Sequence, residues 1–161
     1  IVCFPGIMYR GGAEQKIRKY LVDNNFIDCI IQLPSNLFFG TSIATCIMVL
    51  KKSKRENKTL FIDASREFVK VTNSNKLTEE NIARIVAAFT ARADEDYFAR
   101  LVDNGEIAEQ GYNLSVSTYV AQEDTRETVD IQALNAEIER IVAREDQLRT
   151  EIAEIIAEIE G

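Results

Sequence analysis

Gln32-Leu33-Pro34-Ser35-Asn36-Leu37-Phe38-Phe39-Gly40-Thr41 joins two apolar runs, Ile27-Asp28-Cys29-Ile30-Ile31-Gln32-Leu33 and Ile43-Ala44-Thr45-Cys46-Ile47-Met48-Val49-Leu50. Each run is short, rich in β-branched residues and bounded by turn formers, which predicts two strands buried on both faces. Upstream, Ile1-Val2-Cys3-Phe4 stops at Pro5-Gly6 and predicts a third strand, and Gly11 to Val22 predicts the helix that crosses over from it. Strand, helix and strand in that order and at that length imply a right-handed βαβ unit. Gly11-Gly12 lacks the spacing of a dinucleotide fingerprint, so it reads as the turn that starts the crossover helix rather than as a phosphate cradle. The connection that carries Phe38 and Phe39 beside Gly40 is the kind of loop on which a sheet-based enzyme keeps its site.

Downstream, Thr59 to Ala64 and Phe68 to Val71 read as short strands, and Asn73 to Lys76 as a loop. Thr78 is placed to cap the next helix, with Glu79 and Glu80 at the positive end of its dipole and Leu77 and Ile82 spaced as a hydrophobic staple. Ile82, Ile85, Val86 and Phe89 predict one apolar face packed on the sheet. From Tyr97 to Val120, the alternation Leu114, Val116, Thr118, Val120 predicts the second of two short strands around a one-turn helix.

From Asp130, a candidate cap, apolar residues fall at Ile131, Leu134, Ile138, Ile141, Leu148, Ile152, Ile155 and Ile159 in steps of three and four. Glu145 alone interrupts this heptad pattern, which is that of a coiled coil, and Val142 and Ile156 widen the stripe as in a helix with several neighbours. A helix of about 45 Å, at about 1.5 Å per residue, cannot cover such a stripe on a small sheet alone. The stripe therefore predicts an interface, with a fold-back onto the same domain as the alternative.

The length of 161 residues and a hydrophobic content of 46% suit one sizeable core with an appendage. No apolar run reaches the roughly 18 residues of a membrane span and no segment has the layout of a secretory signal, so a cytoplasmic protein is expected. Cys3, Cys29 and Cys46 each fall in a predicted strand and read as buried, reduced thiols. With no histidine and no Cys-x-x-Cys, no metal site and no Cys/His nucleophile are expected. Charge divides the chain. Residues 1–76 hold 12 Lys and Arg against 6 Asp and Glu, a balance of +6, whereas residues 77–161 hold 7 against 20, a balance of −13. A basic sheet end suits nucleic acid, and the acidic remainder suits a protein partner or solvent. Lys51, Lys52, Lys54 and Arg55 form the densest basic run, open to two readings: a solvated turn between strands or contact with a DNA backbone.

The motifs Phe4-Pro5-Gly6, Arg10-Gly11-Gly12-Ala13-Glu14, Ile17-Arg18-Lys19, Leu33-Pro34-Ser35-Asn36-Leu37-Phe38, Thr41, Cys46 to Lys52 and Gly111 to Val120 occur in an order and spacing that resemble the modification (M) subunit of type I restriction-modification systems. The resemblance implies an α/β fold: the C-terminal part of a doubly wound, Rossmann-like methyltransferase sheet followed by a long C-terminal helix. It further implies a parent enzyme that methylates the exocyclic amino group of adenine in duplex DNA with S-adenosylmethionine, beside a specificity (S) subunit and a restriction (R) subunit. The Asn-Pro-Pro-Phe/Tyr motif and the Phe-x-Gly-x-Gly cofactor loop, which the family places earlier, are missing; the only prolines are Pro5 and Pro34. The chain also opens at Ile1 within an apolar strand. It is therefore expected to be a C-terminal fragment that neither binds cofactor nor turns over alone.

On this reading residues 1–52 are the end of the methyltransferase domain, 53–122 an α+β extension, and 123–161 a helical tail for subunit association. Phe38 or Phe39, Phe38 by preference, matches where the methyltransferase fold supplies an aromatic to the target-base pocket; a core aromatic is the competing account. The resemblance makes the S subunit the leading partner of the Ile131 to Ile159 stripe, with homodimerisation possible in its absence. The rival function is a non-catalytic assembly module that binds the S subunit or itself.

Overall fold

The computed structural model describes residues 1–123 and 131–160, with the side chains of Ala133 and Glu160 left aside. The chain divides into two compact units, Ile1–Glu123 and Asp124–Gly161.

In chain order the first unit contains β1 (Val2–Cys3), α1 (Gly6–Tyr9), α2 (Ala13–Asp23), β2 (Ile27–Gln32), β3 (Cys46–Leu50), β4 (Lys58–Asp63), β5 (Val69–Val71), β6 (Ser74–Lys76), α3 (Glu79–Ala91), β7 (Ala99–Asp103), α4 (Asn104–Glu109) and α5 (Val116–Tyr119). Five strands form one mixed sheet in the order β1-β3-β2-β4-β7, and β5 pairs with β6 as a separate ribbon. β2 and β4 are parallel, with Ile30 opposite Phe61. β3 runs antiparallel to both β1 and β2. The crossover through α2 thus returns parallel to β1, with β3 inserted between the two strands of the unit.

Both faces of the sheet are covered, which is why β2 and β4 read as continuous apolar runs. Ile30, Cys46, Met48 and Phe61 face a core closed by Met8, Val22, Ile107, Leu114, Val116 and Tyr119 from the helices and connections of one side. Cys29, Ile31, Leu60 and Ile62 face the other core, where Ile85 and Ala88 of α3 pack. A buried arginine ties the first side together. Arg18 on α2 is 3% exposed and donates to the carbonyls of Tyr112 (2.8 Å), Ile7 (2.7 Å) and Arg10 (2.7 Å).

Several sequence expectations give way. The strand expected from Ile43 starts at Cys46, where the pairing with both β1 and β2 ends; Ile43 is exposed in the loop before it. β3 is not buried on both faces: Cys46 and Met48 are buried, Ile47 and Val49 only in part, and Leu50 is exposed. Asn73 to Lys76 is not a loop, since Ser74–Lys76 pairs with Val69–Val71 across a turn in which Thr72 takes φ 49°. The strand expected over Leu114 to Val120 is a turn and a short helix. Asn113 Oδ1 accepts Ser115 N–H at 2.9 Å and the Tyr119 hydroxyl donates to Asn113 O at 2.6 Å, so all the apolar side chains reach one core without a pleat. On α3, the Thr78 cap stands as expected, with Asn81 completing a capping box. The buried face, however, is Ile85, Ala88 and Phe89, while Ile82 and Val86 are exposed. The three cysteines are free thiols in strands, Cys29 and Cys46 buried and Cys3 partly so.

The second unit contains α6 (Ile131–Glu160), a single helix of 30 residues. The cap expected at Asp130 lies outside the described residues. No helix among the described residues is long and apolar enough to cross a membrane.

Candidate functional site

β1, β2 and β4 share one direction, so Phe4, Leu33 and Ala64 leave the sheet at the same, carboxyl end. In open α/β sheets this end holds the ligand crevice. The connection from Leu33 to Thr45 rises there, and both candidate aromatics are solvent-facing: Phe38 is 44% exposed and Phe39 fully so. Neither belongs to the two cores of this unit. Gly40 supplies the positive φ of 80° that turns the chain back, and Thr41 N–H donates to Phe38 O at 3.3 Å.

The mouth of the loop is fastened by Gln32, a residue the sequence reading passed over. Its Nε2 donates to Leu33 O (3.1 Å) and Thr45 O (3.3 Å), one on each stem, while its Oε1 accepts the Cys46 thiol at 3.1 Å. Burial pushes the Cys46 thiol up to about 12, and Cys29 likewise, so neither is a nucleophile.

The basic run lies at the opposite end of the sheet. β3 carries the chain away from the loop for five residues, about 17 Å at about 3.4 Å per residue, before Lys51 begins the turn. Lys51, Lys52 and Arg55 are exposed there. Lys54 is not free: its Nζ donates to Ile27 O at the start of β2, and burial, opposed in part by Asp28, lowers its pKa to about 8. Beside it Arg92 Nη1 meets the buried Asp28 carboxylate at 3.1 Å. Asp28, Lys51, Lys54, Arg55 and Arg92 line, with Phe89, a cleft of about 680 Å³ to which Lys52 does not contribute. Phe38 and Phe39 are therefore not brought together with Lys51, Lys52, Lys54 and Arg55.

On α6, all eight stripe residues, Ile131, Leu134, Ile138, Ile141, Leu148, Ile152, Ile155 and Ile159, are exposed, from 43% at Leu148 to 79% at Ile159. Glu145, which breaks the stripe, accepts Arg149 one turn on at 2.6 Å. Among the described residues, no group of acidic, cysteine or histidine side chains could hold a metal ion.

The family model described as N-6 DNA methylase matches residues 1–128. A curated relative, the type I restriction enzyme MpnII methylase subunit of Mycoplasma pneumoniae, is 51% identical over 160 residues, covering 99% of this chain and 30% of the relative. The crystal structure of the type I restriction-modification system methyltransferase subunit from Streptococcus thermophilus is 44% identical with a TM-score of 0.75, covering 76% of this chain and 26% of that one. A structure addressing complex assembly and conformational transition of the type I R-M system shares the fold at 18% identity and a TM-score of 0.57, over 95% of this chain and 35% of that one. The chain thus spans between 26% and 35% of the length of these three proteins.

Proposed function

The chain belongs to the N-6 DNA methylase family, and from that premise we propose that it forms part of a type I modification subunit that transfers a methyl group from S-adenosylmethionine to the exocyclic amino group of adenine in a specific duplex sequence. Its own contributions are two: an aromatic loop for the target-base pocket and a helix for subunit association. The observation that carries the first is the presentation of Phe38 and Phe39 at the carboxyl end of three like-directed strands, with Phe39 fully exposed.

An adenine flipped from the stack needs an apolar surface against its face while its amino group is held toward the methyl donor. A phenylalanine ring supplies that surface and adds no polar group to compete with the amino nitrogen. Phe38, the less exposed of the two at 44%, suits the pocket wall. Phe39 projects further, toward the DNA.

The polar groups at this end of the sheet do not fit S-adenosylmethionine by themselves. Gln32 is occupied by both loop stems and Asp63 Oδ1 by Ser65 N–H, and the chain has neither the glycine-rich loop nor the Asn-Pro-Pro-Phe/Tyr motif. Cofactor binding and activation of the amino group therefore belong to parts of the parent outside this chain, which is inactive alone.

Lys51, Lys52 and Arg55 contact phosphates of the same duplex, with Lys54 supporting their turn from inside. The α6 stripe packs on helices of the S subunit, alongside which the R subunit joins the full cytoplasmic complex. At about 1.5–3 kcal/mol per large aliphatic buried, less the cost of docking, the stripe dominates that association.

Photo-crosslinking tests the pocket. A duplex carrying 5-iodouracil in place of the target adenine, irradiated with the assembled methyltransferase, is expected to attach to Phe38 or Phe39. Attachment elsewhere, with neither phenylalanine labelled, contradicts the assignment.

A further inference from the structure

A connection as long as Leu33 to Thr45, with no regular structure and two exposed phenylalanines, would ordinarily wander. Gln32 fixes only its stems. The turn at Ser35-Asn36, just before the aromatics, is held separately by the β5–β6 ribbon. Asn36 takes the left-handed φ of 54° and donates through Nδ2 to Asn73 O at 2.5 Å. Its own carbonyl accepts Asn75 N–H at 2.9 Å, and Asn75 Nδ2 donates to Ser35 O at 2.8 Å. Three bonds thus link the turn to the ribbon, and two of them use asparagine amides.

Within this unit the ribbon is otherwise little covered. All three residues of β5 are exposed, and in β6 only Asn75 is partly covered. Two strands of three residues are marginal in water without something to hold them. The contact with the loop stabilises each partner.

We propose that the Val69–Lys76 ribbon is a brace that sets the direction of the Phe38–Phe39 loop, with Asn36 and Asn75 as positioning residues. Its consequence for methylation rests on the base-pocket reading above; the brace itself does not. Asn75 is the place to test it, because it lies in extended backbone, whereas a substitution at Asn36 would also strain the turn.

The chain contains five tyrosines but no tryptophan, so Phe39→Trp places a single indole on the loop, excited selectively at the red edge where the tyrosines do not absorb. In that background, Asn75→Ala and Asn75→Asp, the latter keeping the shape but losing the donor, should each raise the amplitude of the fast component of time-resolved anisotropy about twofold. The far-UV circular dichroism melting point should move little, since the ribbon lies outside both cores. An unchanged fast component in both variants overturns the brace.

In the full-length subunit assembled with its partners, Asn75→Ala should slow single-turnover methyl transfer about tenfold at unchanged DNA affinity, as expected when a reacting group is misdirected rather than removed. If Phe38→Ala slows methylation while Asn75→Ala alters neither methylation nor anisotropy, the brace is refuted and the pocket survives. If Asn75→Ala frees the loop but neither variant slows methylation, the brace stands and the pocket assignment fails.

Discussion

Replacing Arg18 with methionine keeps most of the side-chain volume and removes the guanidinium. The group is 3% exposed and its three bonds run to main-chain carbonyls of Ile7, Arg10 and Tyr112. Burial lowers its pKa, with Glu14 opposing in part, but an arginine stays charged throughout the neutral range. Hydrogen bonds to a charged group contribute about 1.5–3 kcal/mol each. They do not add fully, because methionine also relieves the desolvation of the cation. A net loss of about 3–4 kcal/mol is expected, because the three carbonyls, in part-buried bonds, are left without a donor at about 1–3 kcal/mol each. Arg18→Lys, which retains one charge and reaches fewer carbonyls, should lose about half of that. Urea unfolding followed by the near-ultraviolet signal of the tyrosines, all of which lie in the first unit, measures both. A loss below about 1 kcal/mol for Arg18→Met would refute the argument, since it would mean that water replaces all three bonds without cost.

Two further predictions concern the basic end and the tail. Lys54 has a folded pKa of about 8 against an ordinary value of 10.5, so between those limits the unfolded chain binds more protons and this group makes stability rise with pH. Cys29, Cys46 and Tyr119, each pushed up to about 12 by burial, act in the opposite sense above about pH 9. The difference between the native chain and Lys54→Met therefore isolates the lysine: it should favour the native chain increasingly from pH 8 to 10.5 in urea titrations, and a flat difference would count against the buried ammonium. Polar replacement of Ile138, Ile141 and Leu148 together should abolish association with the S subunit by light scattering while leaving the first unit's melting point in place; undisturbed complex formation would remove the interface proposal.

The parts of the fold that the sequence disclosed are those in which local chemistry and tertiary environment agree. Thr78 is a cap in any context, and the stripe on α6 follows from spacing alone. β2 and β4 declare double-sided burial because both faces are covered, one by α3 and one by α1, α2, α4 and α5. Strand direction left no such trace. β3 is as apolar as its neighbours, yet it runs against them, and nothing in Cys46-Ile47-Met48-Val49-Leu50 encodes that. Leu114 to Val120 alternates like a strand because turn and short helix together deliver the same side chains to one core. The exposure of Ile82 and Val86 was hidden because a helix's apolar residues do not state how much sheet lies beneath them.

The site was legible in its aromatics but not in its supports. Phe38-Phe39-Gly40 between two apolar runs marks a loop, whereas Gln32, Asn36 and Asn75 acquire their roles only through partners up to 40 residues away in sequence. The Asn-rich stretch Asn73-Ser74-Asn75 was visible, but it suggested a loop tip rather than a second strand bonded to another loop. Likewise Lys54, read as one of four surface cations, turns inward to Ile27, an outcome set by the start of β2 and not by its own neighbours.

The central claim is that this chain gives the methyltransferase its target-base aromatic, and single-turnover methyl transfer by the full-length subunit in its assembled complex tests it most directly. Stacking of a base on an aromatic is worth about 1–3 kcal/mol, so Phe38→Ala should slow transfer about ten- to hundredfold, and the double variant Phe38→Ala/Phe39→Ala at least as much, with assembly by light scattering unaltered. Normal methylation by the double variant would contradict the account.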